Sequence, residues 1–271
     1  VIPSSSADSI IYPYNRYLFR AAASSTGQSA SIAQFIEDKG YKQPAAIFSR
    51  DAYGEQILKS FKAALKRRNL SLVAEEGFQQ NDTDFVSQLL KIKEKNPDFL
   101  AVIGYLREQG IILRQAHELG IKATRLATAS ATAAIKDIVP KEALIGVHII
   151  TSLQGASESP KYEWFKRKLS NEHPKDAKRP GQPNWHVFSG YATAQVFVEG
   201  LRRAGKDLTR EKLVDALETI QDFDDGIHAT PVSFTNSDHE GMKGAGILRY
   251  NENLDRIYSG SVRYTDVPDI K

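Results

Sequence analysis

Residues 26–152 predict an α/β fold built on a doubly wound, parallel β-sheet, and three observations carry that reading. Apolar residues alternate between helical spacing and short continuous runs. Glycine, asparagine and proline stand at the joins. The connections are short, which suits strand–helix–strand order. Thr26 to Lys39 places Ile32, Phe35 and Ile36 on one helical face, with Gly40 behind it as a stop. Pro44 to Ser49 reads as a short buried strand. Residues 53–68 form an amphipathic helix with Ile57, Phe61, Ala64 and Leu65 inward and Lys59, Lys62, Lys66, Arg67 and Arg68 outward. A basic helix C-terminus complements the helix dipole and reads as a solvated end rather than a docking patch. Leu70 to Phe78 is strand-like. Asp82 or Thr83 then caps a helix carrying Phe85, Leu89 and Ile92, which Asn96-Pro97 ends. Asp98 to Gly104 is the apolar run of a central parallel strand. A helix from about Arg107 to Leu119 is closed by Gly120. A strand near 125–128, a small helix near 132–138 and a strand over 146–152 complete the series.

Beyond Ser152 the pattern changes. Helices are expected over 160–169, 185–203 and 209–219, with a polar connector from Asn171 to Pro183 between the first two. Short strands return at 232–234, 246–250 and 256–264. This second unit has almost no strands of its own before residue 230, so its helices have no sheet to pack on.

Composition narrows the function. The chain of 271 residues is 41% hydrophobic and carries 36 Lys+Arg against 33 Asp+Glu, a net charge of +3. Such a slim excess leaves no electrostatic footprint for nucleic acid. There is no cysteine, which excludes thiol nucleophiles, thiolate metal sites and disulfides without fixing a compartment. No apolar run is long enough to span a membrane, and the start lacks the basic and apolar regions of a signal peptide.

Catalytic and cofactor motifs fail one by one. A G-x-G-x-x-G pattern is missing. The near-miss to a phosphate loop, Gly200 to Lys206, is followed by Asp207 and ends a helix instead of preceding one, so Gly205 reads as a helix C-cap. His117-Glu118 and His239-Glu240 lack the second histidine of a zinc-protease helix, and there is no nucleophile elbow. No metal or cofactor is expected. Asn69-Leu-Ser71 and Asn81-Asp-Thr83 match a glycosylation pattern that is common by chance. Ser4-Ser5-Ser6 is either a polar turn or a cluster of hydroxyls and amides able to hold a carboxylate. Tyr53 and Tyr105 follow successive strands and sit at their carboxyl ends, where open α/β sheets bind ligands.

Phe-Ser-Arg-Asp-Ala-Tyr-Gly (48–54), Asn-Asp-Thr-Asp-Phe (81–85), Ile-Gly-Tyr (103–105) and Leu-Arg-Gln-Ala-His-Glu-Leu-Gly (113–120) together resemble the type I periplasmic solute-binding proteins. The likeness is greatest to the leucine/isoleucine/valine-binding family of ABC importers. It continues through residues 190–194, 213–218 and 230–234 and keeps order and spacing along essentially the whole chain. The resemblance implies two α/β lobes joined by three hinge crossovers, near Ala23–Ser25, Thr151–Leu153 and Gly244–Ile247. Lobe one would hold residues 1–24 and 153–244, and lobe two 25–152 and 245–271. Family members normally open with further strand–helix units ahead of the segment matching Ile2-Pro3-Ser4. The N-terminal part of lobe one is therefore expected to be absent from this chain.

The same resemblance implies site residues. Ser4, Ser5 and Ser6 match the lobe-one turn that holds the ligand's carboxylate and ammonium. Tyr53 and Tyr105 match lobe-two aromatics that close over it, and Trp185 or His186 lies where a residue meets the ligand's side chain. Ser25 and Ala129, with Ser130 beside it, match lobe-two positions where amino-acid binders carry carboxylates for the ammonium group. Neither Ser25 nor Ala129 is charged, and an unpaired ammonium in a closed cleft is costly. The expected ligand therefore has one carboxylate and a neutral or aromatic body. The implied activity is non-enzymatic: an extracytoplasmic receptor in the periplasm that delivers its ligand to an ABC permease and does not itself insert in the membrane. A sensor or regulator domain of the same fold is the alternative. An α/β enzyme would need a nucleophile–base pair or phosphate loop that the chain lacks.

Overall fold

The computed structural model describes residues 6–131, 133–154, 160–178 and 185–263. Two apolar runs, Pro44–Ser49 (β1) and Phe99–Ile103 (β3), are buried almost throughout, so each needs cover on both faces and pairing on both edges. They pair in parallel with each other. Ala74–Phe78 (β2) lies outside β1, and Thr124–Ala127 (β4) lies beside β3. His148–Thr151 (β5) ends the parallel series. Gly244–Tyr250 (β6) and Arg256–Arg263 (β7) then join antiparallel. The order β2-β1-β3-β4-β5-β6-β7 reverses direction between β1 and β3, which makes that junction the topological switch point of the sheet. The parallel sheet expected for residues 26–152 is present, extended into a mixed sheet by the C-terminal strands.

Helices Ser25–Lys39 (α1) and Ala52–Arg67 (α2) cover one face, packing Ile32, Ile36, Phe61 and Leu65 against Ala46, Ala101 and Ile103. Helices Val86–Glu94 (α3) and Leu106–Glu118 (α4) cover the other with Leu89, Ile92, Ile112 and Leu113 against Ala45, Ile47 and Val102. The Ser24 side chain caps α1 by accepting from Gly27 N, and Gly40 ends it with φ 76°.

Several boundaries differ from the sequence reading. Residues 70–73 are not strand, because Asn69 takes φ 54° and Leu70 N returns to Leu65 O, which closes α2 first. The two glycosylation-like asparagines, Asn69 and Asn81, are both left-handed turn residues. The helix expected from Asp82 starts at Val86 instead. Asp82 accepts from Gln79 N and Asp84 from Val86 N, so both carboxylates stabilise the preceding turn. Arg68 points inward rather than outward, 3.1 Å from Glu37 and donating to Gln34 at 2.7 Å. The small helix near 132–138 is a 3-10 turn over Ala133–Asp137, followed by a short helix, Lys141–Leu144 (α5).

The remaining helices are Pro160–Glu172 (α6), Pro174–Ala177 (α7), Trp185–Ala204 (α8) and Arg210–Glu218 (α9). Phe19, Val196, Leu217, Phe234 and Met242 form a separate core there. Residues 232–234 form no strand. Val232 pairs with Phe223, but Ser233 N already turns to Gly241 O, so no ladder propagates. Gly205 ends α8 with φ 78° and donates to Leu201 O, a helix stop and not a phosphate loop.

The stretches around Arg20–Ser24, Thr151–Gln154 and His228–Gly244 run side by side. Ala23 N donates to Ser152 Oγ at 3.2 Å, Ala229 N to Ser152 O at 2.9 Å, and Gly241 N to Arg20 O at 2.8 Å. Arg20 is fully buried there, 3.5 Å from both Asp8 and Glu240, and donates to Ala7 O. Asp8 in turn accepts from Thr26 at the start of α1 and from Gln56 in α2. A buried charge cluster thus ties the N-terminal segment to the two helices on one face of the sheet.

Candidate ligand-binding site

The loops that follow β1 and β3 flank the switch point, and each contributes a tyrosine. After Ser49 the chain turns at once into α2. Asp51 accepts from Gly54 N at 2.9 Å as N-cap, which places Tyr53 in the first helical turn. After β3, Gly104 lets the chain pass the Phe78 ring, which a Cβ there would approach to 2.8 Å. Tyr105 then stands at the start of α4. The two rings meet with centroids 5.3 Å apart, tilted by 33°. Tyr53 is half-buried and Tyr105 is 36% exposed, so the pair offers an aromatic wall to solvent.

A polar network lies behind Tyr53. Its hydroxyl is 3.4 Å from Ser130 Oγ. Ser130 donates to Gly104 O at 2.5 Å and accepts from Gln109 Nε2 at 3.0 Å. Gln109 Nε2, with two protons to share among its neighbours, also lies 2.7 Å from Gly104 O and 3.2 Å from Thr128 Oγ1. Burial pushes the Tyr53 hydroxyl above the usual tyrosine range, opposed by Ser130 and Thr128. Burial also raises Tyr105, and the neighbouring Asp51 carboxylate adds to it. Both phenols therefore stay protonated at neutral pH.

Of the residues named from sequence, the structure brings Tyr53, Tyr105 and Ser130 into one cluster. Ser6 and Ser25 form a second contact, with Ser25 N donating to Ser6 O at 2.8 Å. Ser25 is buried at the start of α1, and Ala129 is half-buried against the α1–α2 side of the core. Ser4 and Ser5 lie outside the described residues. Trp185 begins α8, and His186 is exposed in its first turn. Sequence reasoning missed Gln109 and Thr128. Gln109 did leave a signal: it falls on the buried stripe of α4 with Ile112, Leu113 and Ala116, a place for apolar side chains. Among the described residues no group of three histidine or acidic side chains could hold a metal ion. None of the described helices is long and apolar enough to cross a membrane.

Residues 1–255 match the family model described as periplasmic binding protein. The leucine-specific-binding protein of Salmonella typhimurium is 24% identical over 210 residues, covering 76% of this chain and 55% of that protein. The chain thus spans about half the length of this curated relative. The structure of a branched-chain amino acid ABC transporter from Thermus thermophilus with bound valine superposes with a TM-score of 0.79 at 19% identity, over 97% of this chain and 72% of that one. A fatty acid ABC transporter substrate-binding protein from Thermomonospora curvata gives 0.74 at 22% identity, over 93% and 66%. These likenesses establish the fold. The matching proteins are solute binders and not enzymes, in line with the missing nucleophile–base pair.

Proposed function

The chain belongs to the periplasmic binding protein family, and on that premise we propose that it is the solute-binding component of an ABC importer. It works in the periplasm and hands a small carboxylate-bearing ligand to a membrane permease. The observation that carries this reading is the Tyr53–Tyr105 pair, held 5.3 Å apart at the switch point of the sheet. Open α/β sheets bind ligands at that crevice, and an aromatic pair there, Tyr105 exposed and Tyr53 half-buried, suits an apolar ligand body. The division into residues 1–24 and 153–244 against 25–152 and 245–271 would place the ligand between two lobes. By the family resemblance, Ser4, Ser5 and Ser6 are assigned to its carboxylate and Trp185 or His186 to its far end. Closure is a hinge motion about the three adjacent passages of chain, and ligand favours the closed form only through contacts made there.

The ligand body is left broad by the relatives: the Salmonella protein is named for leucine and the Thermomonospora protein for fatty acids. An aliphatic or aromatic acid and an amino-acid-like molecule all share the carboxylate. Native mass spectrometry of the purified protein identifies what it retains, and calorimetry then measures affinity. Tyr53→Ala is expected to weaken binding about thirtyfold, the equivalent of roughly 2 kcal/mol for a buried aromatic contact. Unchanged affinity removes Tyr53 from the site.

A further inference from the structure

We propose that the end of the sheet opposite the tyrosine pair carries a second site, for a small inorganic dianion of the sulfate type, formed by Lys39, His148 and Arg249. It uses none of the residues assigned to the solute and stands apart from that reading.

The topology brings these three side chains together. His148 opens β5, and Arg249 is its register partner in the antiparallel β6, so both leave the same face of the sheet. Ile150 and Ile247, two residues along each strand, belong to the core under α1 and α2, which puts that face on the α1 side. Lys39 is the last residue of α1. The Phe35 ring, one helical turn before it, joins the group. Its centroid is 5.2 Å from the His148 ring and 5.9 Å from Lys39 Nζ. Tyr53 and Tyr105 follow the carboxyl ends of β1 and β3, whereas this cluster lies at the amino end of the parallel strands.

The charge there is one-sided. Glu37 faces Arg68 at 3.1 Å, and Asp38 accepts from Gln34 at 2.9 Å. Asp98, at the same end of the sheet, accepts from the backbone N–H groups of Lys42 and Gln43. Lys39 and Arg249 form no ion pair among the described residues. His148 registers the imbalance. Burial first, and then the Arg249 and Lys39 charges, hold it down to about 4, and no carboxylate opposes them. Its Nδ1 is buried without a hydrogen-bond partner among the described residues. Cations gathered without an acid raise the local potential and draw a counter-ion. A guanidinium fork and an ammonium are the side chains that suit an oxyanion. Two formal cations match a dianion, whereas a monovalent carboxylate leaves one of them uncompensated. An anion seated there also reverses the field at His148 and eases its protonation.

Sulfate is the probe, because it stays a dianion throughout the pH range used. In the ¹H–¹³C spectrum of histidine-labelled protein at pH 5, the His148 signal is the one missing from His148→Phe. Sulfate is compared with sodium chloride at equal ionic strength. It is expected to move that signal toward its protonated position and to saturate with a Kd on the order of 1 mM. A midpoint raised by about one unit takes the protonated fraction at pH 5 from about a tenth to about a half. His117, exposed on α4, serves as the reference and is expected to stay still. Lys39→Gln and Arg249→Gln replace exposed side chains, so the fold is retained, and each is expected to weaken sulfate binding at least tenfold. A His148 signal that answers sulfate and chloride alike overturns the proposal, as does a sulfate response that survives both substitutions. Acetate as effective as sulfate overturns the assignment of a dianion.

Discussion

Gly54→Ala is the sharpest test of how the site is built. Gly54 lies one residue after Tyr53, where the first turn of α2 passes over the end of β1. A Cβ there would fall 2.1 Å from Ser49 O and 2.4 Å from Ser49 Oγ. The hydroxyl could rotate away, but the carbonyl cannot. It belongs to a strand end pinned on both sides, by the registers Ser49↔Phe78 and Phe48↔Ile103. Restoring van der Waals separation therefore lifts the helix start by on the order of 1 Å. Overpacking of this kind costs about 1–3 kcal/mol. The better helix propensity of alanine returns up to about 1 kcal/mol, so a net loss of about 1–2 kcal/mol is expected. Tyr53 must ride on the displaced turn, so the ring pairing with Tyr105 and the contact with Ser130 change as well. Gly190→Ala is the control. It lies in α8 with nothing within 4 Å of the added Cβ, and is expected to gain about 0.5–1 kcal/mol from helix propensity alone. Urea unfolding followed by circular dichroism reads both. If the two variants prove equally stable, the close approach of α2 to β1 has been misjudged and Tyr53 is not positioned by it.

Other expectations follow from buried charge. Arg20→Met removes the cation between Asp8 and Glu240 in a fully buried setting, and a loss of about 3–5 kcal/mol in urea unfolding is expected; a neutral result would show that the cluster is not desolvated. His148 is held down to about 4 by burial first and then by the nearby Arg249 and Lys39 charges. Since the unfolded chain binds this proton near pH 6.5, stability is full above that pH and falls as pH drops toward 4. The loss amounts to at most about 3 kcal/mol. His148→Phe is expected to flatten that part of the pH profile, and an unaltered profile would assign the acid sensitivity elsewhere.

Much of this architecture was legible in the sequence wherever burial dictated periodicity. The run at 44–49 read as a buried strand and that at 98–104 as a central one, and glycines 40, 120 and 205 marked helix ends that all adopt positive φ. Tyr53 and Tyr105 were legible because strand ends in this fold class converge. The start of the third helix was misplaced because Asp82, Thr83 and Asp84 all look like caps, and only tertiary contacts choose among them. Gln109 and Thr128 were missed for a related reason. A polar residue on an apolar stripe announces burial, but its partners Gly104 and Ser130 come from other loops, and nothing local names them.

The interleaved strand order also has a consequence for synthesis. β6 pairs with β5, yet residues 152–243 are made between them, and both faces of the sheet draw on β6 through Ala245, Ile247, Leu248 and Tyr250. When the chain folds from its N-terminus onward, the edge of β5 stays unpaired until residues 152–243 have followed and β6 arrives. An open apolar edge of that kind is a template for association with other nascent chains. Until residues 244–250 arrive, anything that covers the edge of β5 stands in for β6.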